Sequence, residues 1–343
     1  AGLGGLSAAC HLAGRDHDVT VVERLPIPGG RAGVIEASGF RMDTGPCVMT
    51  MPGLLRDAFA AAGADMDDHI TLRPVDPMYR AVYADGSTLR VRHGRDAMTD
   101  EIRTVCGPKE ADAFGPFCDW LAELYRIEMP DFIDRNFDSP LDYATRLGAL
   151  TRIIRMGGLR SVHRTVSAFF ADDRLHKLFS FQAMYAGLSP FDALAIYCVI
   201  TYMDSVEGVY FPDGGMHSMA TGLVAAATAA GAQFRFGTAV ERIEVSRAGG
   251  TRGVHLADGT FIEADAVVAN PDLPIAYRDL LDVPAPRVAA KGRYSPSCML
   301  WLAGVRGPMP ADAAHHNIHF GNEWAGAFED LLERGTTMRD PSI

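Results

Sequence analysis

Residues 1–24 constrain the fold of this chain more than any other stretch. They read A-G-L-G-G-L-S-A-A-C-H-L-A-G-R-D-H-D-V-T-V-V-E-R. Leu6, Ala9, Cys10, Leu12 and Ala13 recur at helical spacing, which predicts a helix from Gly5 to about Ala13 with one face on a sheet. Gly14-Arg15-Asp16-His17 makes a turn, and Val19–Val22 then reads as a short buried parallel strand ending at Glu23. Together these pieces form the second half of a dinucleotide-binding βαβ unit. Gly2 lets backbone approach a pyrophosphate, and Gly5 lets helix pack closely on strand. The helix start offers unpaired N–H groups and the positive end of its dipole to the phosphates. Glu23, about 20 residues along, is placed to accept from ribose hydroxyls. The first glycine and the strand before it are expected ahead of residue 1. A glycine turn alone occurs in many α/β proteins; the combination is what selects nucleotide binding.

A chain of 343 residues exceeds what one core usually serves, so two interleaved domains are expected. The net charge of −11 excludes a nucleic-acid surface, which needs clustered cations. One stretch does concentrate arginine: Arg146, Arg152, Arg155, Arg160 and Arg164, broken by Ile153, Ile154, Leu159 and Val162. It reads either as a solvated helix face or as an interfacial helix meeting anionic lipid. The six cysteines lack metal spacing and read as reduced, mostly buried thiols of a cytoplasmic protein. His315 and His316 are adjacent, poor geometry for one ion, and no metal is expected. The most apolar run, Phe191 to Met203, is too short to span a bilayer and contains Asp192, so attachment to a membrane would be peripheral. The absence of an initiator Met and the stop at Arg339-Asp340-Pro341-Ser342-Ile343 read as a fragment.

Two further segments favour FAD over NAD. After Glu23 comes L-P-I-P-G-G-R-A-G, and then G-F-R-M-D-T-G-P at residues 39–46. The Gly29-Gly30 pair can bring N–H groups against phosphate, and Arg31 can neutralise charge there. This pattern, E-x5-G-G-R-A followed by F-x-x-D-x-G-P, resembles the amine oxidase and carotenoid desaturase branch of flavoproteins. The resemblance implies FAD, held by Gly2, Gly4, Gly5, Glu23, Arg24, Gly29, Gly30, Arg31, Asp43, Gly45 and Pro46. The nucleotide fold is expected to return with a helix from about Ser218 to Ala230 and strands at Ala232–Phe236 and from Gly237 to Ile243. A hairpin about Asp258-Gly259 and a buried strand at Ala264–Asn270 complete it. The resemblance also implies a backbone contact of Val240 with the adenine end.

Between residues 75 and 205 the pattern changes. Short strands turn at Asp85-Gly86, and helices follow at Ala111–Ile127, Pro140–Ile154, Ser161–Ala171, Leu175–Ala186 and Phe191–Met203. Met184, Tyr185, Leu188, Phe191, Ile196, Tyr197, Ile200, Tyr202 and Met203 read either as core or as the wall of a channel for a long apolar ligand.

F-S-F-Q at 179–182, G-L-S-P-F at 187–191, A-H-H-N-I-H-F-G-N-E-W at 314–324 and M-R-D-P-S at 338–342 resemble bacterial phytoene desaturases rather than amine oxidases. The expected fold is α/β: a Rossmann-like FAD-binding domain of the GR2, amine oxidase-like type, interleaved with a mixed sheet and helix substrate domain. Its boundaries are 1–73 and 208–274 for FAD, and 74–207 and 275–343 for substrate. The resemblance implies desaturation of a C40 polyene by hydride transfer to flavin, with quinone or oxygen as the final acceptor. It also implies peripheral attachment to lipid on the inner face of the cell membrane. Asp142 and Arg146, i and i+4 on one expected helix face, roughly match a polar pair proposed in that family to stabilise the substrate cation and take its proton; a surface ion pair is the plainer reading. The alternatives are a carotenoid isomerase, ketolase or amine oxidase on the same scaffold, or a non-catalytic prenyl-binding escort protein.

Overall fold

A computed structural model of the chain describes residues 1–246, 249–292 and 294–342. The chain divides into two compact units, one of residues 1–73, 210–293 and 300–304, the other of 74–209, 294–299 and 305–343. The second passage of the first unit thus runs to about 293, where the sequence placed its end at 274.

In the first unit, the helix Leu3–Ala13 buries Leu6, Ala9, Cys10 and Ala13. These pack against the helices His217–Ala229 and Pro52–Ala61 in one core with Phe59, Met219, Leu223, Ala226 and Ala227. Small side chains allow close approach, and the Cys10 thiol reaches the Leu223 carbonyl at 3.6 Å. The strand Thr20–Val22 pairs in parallel with Gln233–Arg235, Val21 opposite Phe234. An antiparallel sheet of Val240–Val245, Thr251–Leu256 and Phe261–Glu263 follows, its hairpin turning at Asp258-Gly259. A hairpin the sequence reading did not foresee, Val34–Ala37 with Phe40–Asp43, turns through Ser38 (φ +53°) and Gly39 (φ +80°).

Residues 264–270 depart from expectation. They form no strand and are mostly exposed, Val268 by 63%. A buried parallel strand needs ladder partners on its flanks. Among the described residues it joins no ladder; its only ties to the strand Thr251–Leu256 are the Ala264 amide to the Arg252 carbonyl at 3.1 Å and the Thr251 hydroxyl to the Asp265 carbonyl at 3.2 Å.

In the second unit, Tyr79–Tyr83 pairs antiparallel with Thr88–Val91 and in parallel with Asn317–Phe320. The helix Pro108–Glu128 buries Phe114, Phe117, Leu121 and Leu124, one face at helical spacing. Phe117 lies 5.2 Å, centroid to centroid, from both Phe170 and Phe179. Three expected helices break. Leu175–Ala186 splits into Asp173–Leu178 and a 3₁₀ segment Phe181–Ala186, and helix in Phe191–Met203 begins only at Ala195. Pro140–Ile154 splits into Pro140–Ala144 and Leu147–Arg155. The Thr145 hydroxyl takes the Asp142 carbonyl, and Arg146 leaves helical geometry at φ −116°, ψ 16°.

Candidate functional site

The glycine turn of the first unit is built as a cradle. Gly2 caps the helix Leu3–Ala13 in extended geometry without any side-chain cap, and the first paired amide of the helix is Leu6, which donates to the Gly2 carbonyl at 2.9 Å. The earlier N–H groups of such a start have no partner within the helix. Gly29 donates to the Ala1 carbonyl at 2.8 Å and bridges Gly2 in parallel, so the second glycine pair lies backbone to backbone on the first. Gly29 and Gly30 have φ of +109° and +57°. A Cβ on Gly30 would stand 3.1 Å from the Gly2 Cα, and one on Gly2, Gly4 or Gly5 would meet the Asn270 carboxamide at 3.0–3.1 Å.

Glu23 sits just past the strand Thr20–Val22, accepts from the Leu25 amide at 3.0 Å and lies 2.6 Å from the backbone nitrogen of Ala1. Arg24 itself is exposed. The structure therefore brings Gly2, Gly29, Gly30 and Glu23 together around one backbone surface.

The segment after the glycine pair is knitted to the helix His217–Ala229. Asp43 accepts from the amides of Met216 at 2.8 Å and His217 at 3.1 Å, at the N-terminus of that helix. His217 Nδ1 lies 2.9 Å from the Ala32 carbonyl, and the Thr44 amide donates to Gly33 at 3.0 Å. A Cβ on Gly45 would lie 1.8 Å from the Arg31 carbonyl. Asp43 thus works as a helix cap that shapes the loop, a role the sequence reading missed. Pro46 is exposed, and Arg31, 83% exposed, pairs with Asp272 at 2.5 Å. Val240 opens its strand opposite Leu256, half-buried.

Asp142 and Arg146 do not share a helix face. Asp142 accepts from the amides of Asp138 at 2.9 Å and Ser139 at 2.8 Å, closing a capping box with Ser139. Arg146 pairs with Asp131 at 3.1 Å. The expected i,i+4 pair fails because the helix ends between them.

The second unit holds a polar cluster the sequence reading passed over. Asp204, on the helix Cys198–Ser205, is 1% exposed and accepts from Tyr79, Gln182 and Ser205. An acidic residue at the end of an apolar helix, one position past Tyr202-Met203, was the available signal. The nine apolar residues read as core or channel wall are nowhere fully buried; Tyr185 is 51% exposed and the others are half-buried. The R-D-P-S segment is structural: Arg339 pairs with buried Asp330 at 2.6 Å, and Asp340 accepts from the amides of Asn322 and Glu323 at 2.6 and 3.0 Å. Among the described residues no helix is long and apolar enough to cross a membrane, and no His, Cys, Asp or Glu cluster is arranged for a metal.

The model of the flavin containing amine oxidoreductases matches residues 3–329. The chain belongs to the flavin containing amine oxidoreductase family. Within that family it is 46% identical over its whole length to a phytoene dehydrogenase of Streptomyces griseus, and 36% identical to a zeta-carotene-forming phytoene desaturase of Myxococcus xanthus. It spans 66% of the length of each. A redesigned putrescine oxidase of known structure superposes with a TM-score of 0.55 at 17% identity, over 84% of this chain and 60% of that one, which shows an amine oxidase-like flavoprotein fold.

The residues present fit the family's FAD. Glycines stand wherever a Cβ would fill the cradle, the nearest side chain over it is a neutral carboxamide, and an acidic residue closes one side.

Proposed function

We propose that this chain serves the FAD-dependent desaturation of a phytoene-like C40 polyene in carotenoid biosynthesis. The observation that carries the reading is the 46% identity to a phytoene dehydrogenase across all 343 residues. The glycine cradle adds physical support for the flavin, and the incompletely buried apolar residues between Met184 and Met203 add support for a hydrocarbon ligand.

In this reading Gly2, Gly4 and Gly5 accept the diphosphate of FAD at the start of the helix Leu3–Ala13, where the dipole favours negative charge. Gly29 and Gly30 complete the cradle, Arg31 and Arg24 balance charge, and Glu23 takes the ribose hydroxyls. Asp43, Gly45 and Pro46 shape the neighbouring loop, and the start of the strand at Val240 offers backbone to the adenine end. When bound, FAD supplies the hydride acceptor. An allylic C–H is far too weak an acid for a carboxylate to deprotonate, so hydride loss leads and leaves a cation on the polyene. The protein then orients the chain, excludes water and accepts one proton.

Peripheral lipid attachment is part of the same proposal. Leu141 (77% exposed), Leu147 (60%) and Leu159 (54%) stand out near the exposed Arg155, Arg160 and Arg164, the mixture that suits an anionic interface. Oxygen or a quinone is the proposed final acceptor.

The test is a full-length protein purified for its flavin spectrum, then incubated with phytoene in liposomes while the long-wavelength polyene absorbance is followed. New conjugation with retained flavin supports the reading. A colourless protein that refuses FAD, or one that reshuffles double bonds without extending them, overturns it in favour of an escort protein or an isomerase.

A further inference from the structure

We propose that Asn270 is a further positioning residue of the FAD cradle: its neutral carboxamide fills the space the cradle glycines leave open and donates to the diphosphate. This rests on the reading that those glycines hold the diphosphate, and every residue it uses belongs to the first unit.

The approach is close at three positions. A Cβ on Gly2 would stand 3.1 Å from Asn270 Nδ2, and one on Gly4 would stand 3.0 Å from Oδ1. One on Gly5 would meet Nδ2 at 3.1 Å and the Asn270 Cβ at 3.3 Å. The three positions therefore lack side chains on the face where Asn270 lies. Gly2 caps the helix Leu3–Ala13, and Gly4 and Gly5 stand in its first turn, where N–H groups have no partner within the helix. A carboxamide carries two N–H donors and one acceptor oxygen. Among the described residues, that of Asn270 makes no hydrogen bond, and the residue is exposed on its outer side.

The chain anchors Asn270 from both directions. Before it, the Ala264 amide donates to the Arg252 carbonyl at 3.1 Å. After it, the ring of Pro271 fixes the backbone, and Asp272 pairs with Arg31 at 2.5 Å. The Asp272 carbonyl accepts from the amides of Ile275 at 2.9 Å and Ala276 at 3.0 Å. One tripeptide thus reaches both glycine segments: Asn270 lies on Gly2, Gly4 and Gly5, and Asp272 holds the residue that follows Gly29-Gly30.

Neutrality is the chemical point. A diphosphate brings negative charge to the free N–H groups and to the positive end of the helix dipole. A carboxamide adds donors there without adding charge of its own. A carboxylate of the same shape would take those N–H groups for itself, as aspartate does at helix caps, and would repel the ligand. Asn270→Asp therefore acts in opposite directions on the empty fold and on the cofactor.

The experiment uses full-length protein freed of flavin and titrated with FAD by fluorescence quenching, at about 20 mM and about 1 M salt, with the Tm of the flavin-free protein alongside. Asn270→Asp is expected to lose about 10²-fold in affinity at low salt and to recover most of that loss at high salt. Its Tm is expected to equal or exceed that of the wild type. Asn270→Leu, similar in shape but without donors, is expected to lose about tenfold at both salt concentrations. Wild-type affinity in either variant overturns the assignment, and so does a loss in Asn270→Asp that salt does not relieve. If Asn270→Asp fails to fold, Asn270→Leu decides alone. Gly30→Ala probes the cradle separately: affinity lost there but kept in the Asn270 variants removes Asn270 and leaves the cradle standing. A wild type that refuses FAD overturns both.

Discussion

Gly30 lies so close to Gly2 that a Cβ on Gly30 would stand 3.1 Å from the Gly2 Cα, while the Gly30 backbone itself holds φ +57°. Two glycine segments separated by a helix, a turn and a strand are therefore one surface. Gly30→Ala is expected to strain the left-handed conformation by about 1–2 kcal/mol and to push the two backbones apart. FAD affinity should fall tenfold or more, since about 1.4 kcal/mol is a factor of ten. Flavin titration by fluorescence quenching checks this; wild-type affinity would place the diphosphate elsewhere. Gly45→Ala should cost more stability than Gly30→Ala, because its Cβ would fall 1.8 Å from the Arg31 carbonyl.

Glu128 is 5% exposed, and one of its carboxyl oxygens is buried with no hydrogen-bond partner among the described residues. Burial alone pushes its pKa up to about 8. The folded chain thus holds a proton that the unfolded chain releases near 4.5. Its contribution to stability is complete below that value, falls as pH rises, and is lost above about 8. Glu128→Gln should remove this slope and leave the variant more stable at alkaline pH by about 2–4 kcal/mol, each pKa unit being about 1.4 kcal/mol. Urea midpoints at pH about 5 and about 9 measure it; parallel shifts in the two proteins would mean that Glu128 is solvated.

Asp142 already accepts two backbone amides, from Asp138 and Ser139, so its carboxylate is occupied in starting a short helix. Asp142→Ala should cost about 1 kcal/mol of local stability, the usual worth of a cap. Asp142→Asn, which keeps an acceptor oxygen, should leave desaturation within about twofold of wild type. A fall in kcat of about 10²-fold with flavin retained would return Asp142 to the chemistry.

The elements legible in the sequence are those whose instructions are local. The helix Leu3–Ala13, the strand ending before Glu23 and the hairpin at Asp258-Gly259 follow from spacing and turn residues within a few positions. Residues 264–270 had the composition of a buried strand, but a strand exists only through a continued ladder, and among the described residues this segment joins none. The helix expected across Pro140–Ile154 failed for a different reason: Thr145 satisfies the Asp142 carbonyl with its own hydroxyl, and periodicity does not register that competition.

The sequence by itself determined that a glycine turn, a helix and an acidic strand end stand in the order a dinucleotide requires, and that a second glycine pair follows. Only the tertiary structure decided what those residues do to one another. It laid Gly30 on Gly2, spent the Asp43 carboxylate on a helix starting more than 170 positions later, and gathered Tyr79, Gln182 and Ser205 around the buried carboxylate of Asp204. Backbone preferences act over a few residues and can be read along a chain. Desolvation and hydrogen bonding act between whatever groups packing brings within about 3 Å, and that is set only once the chain has closed on itself.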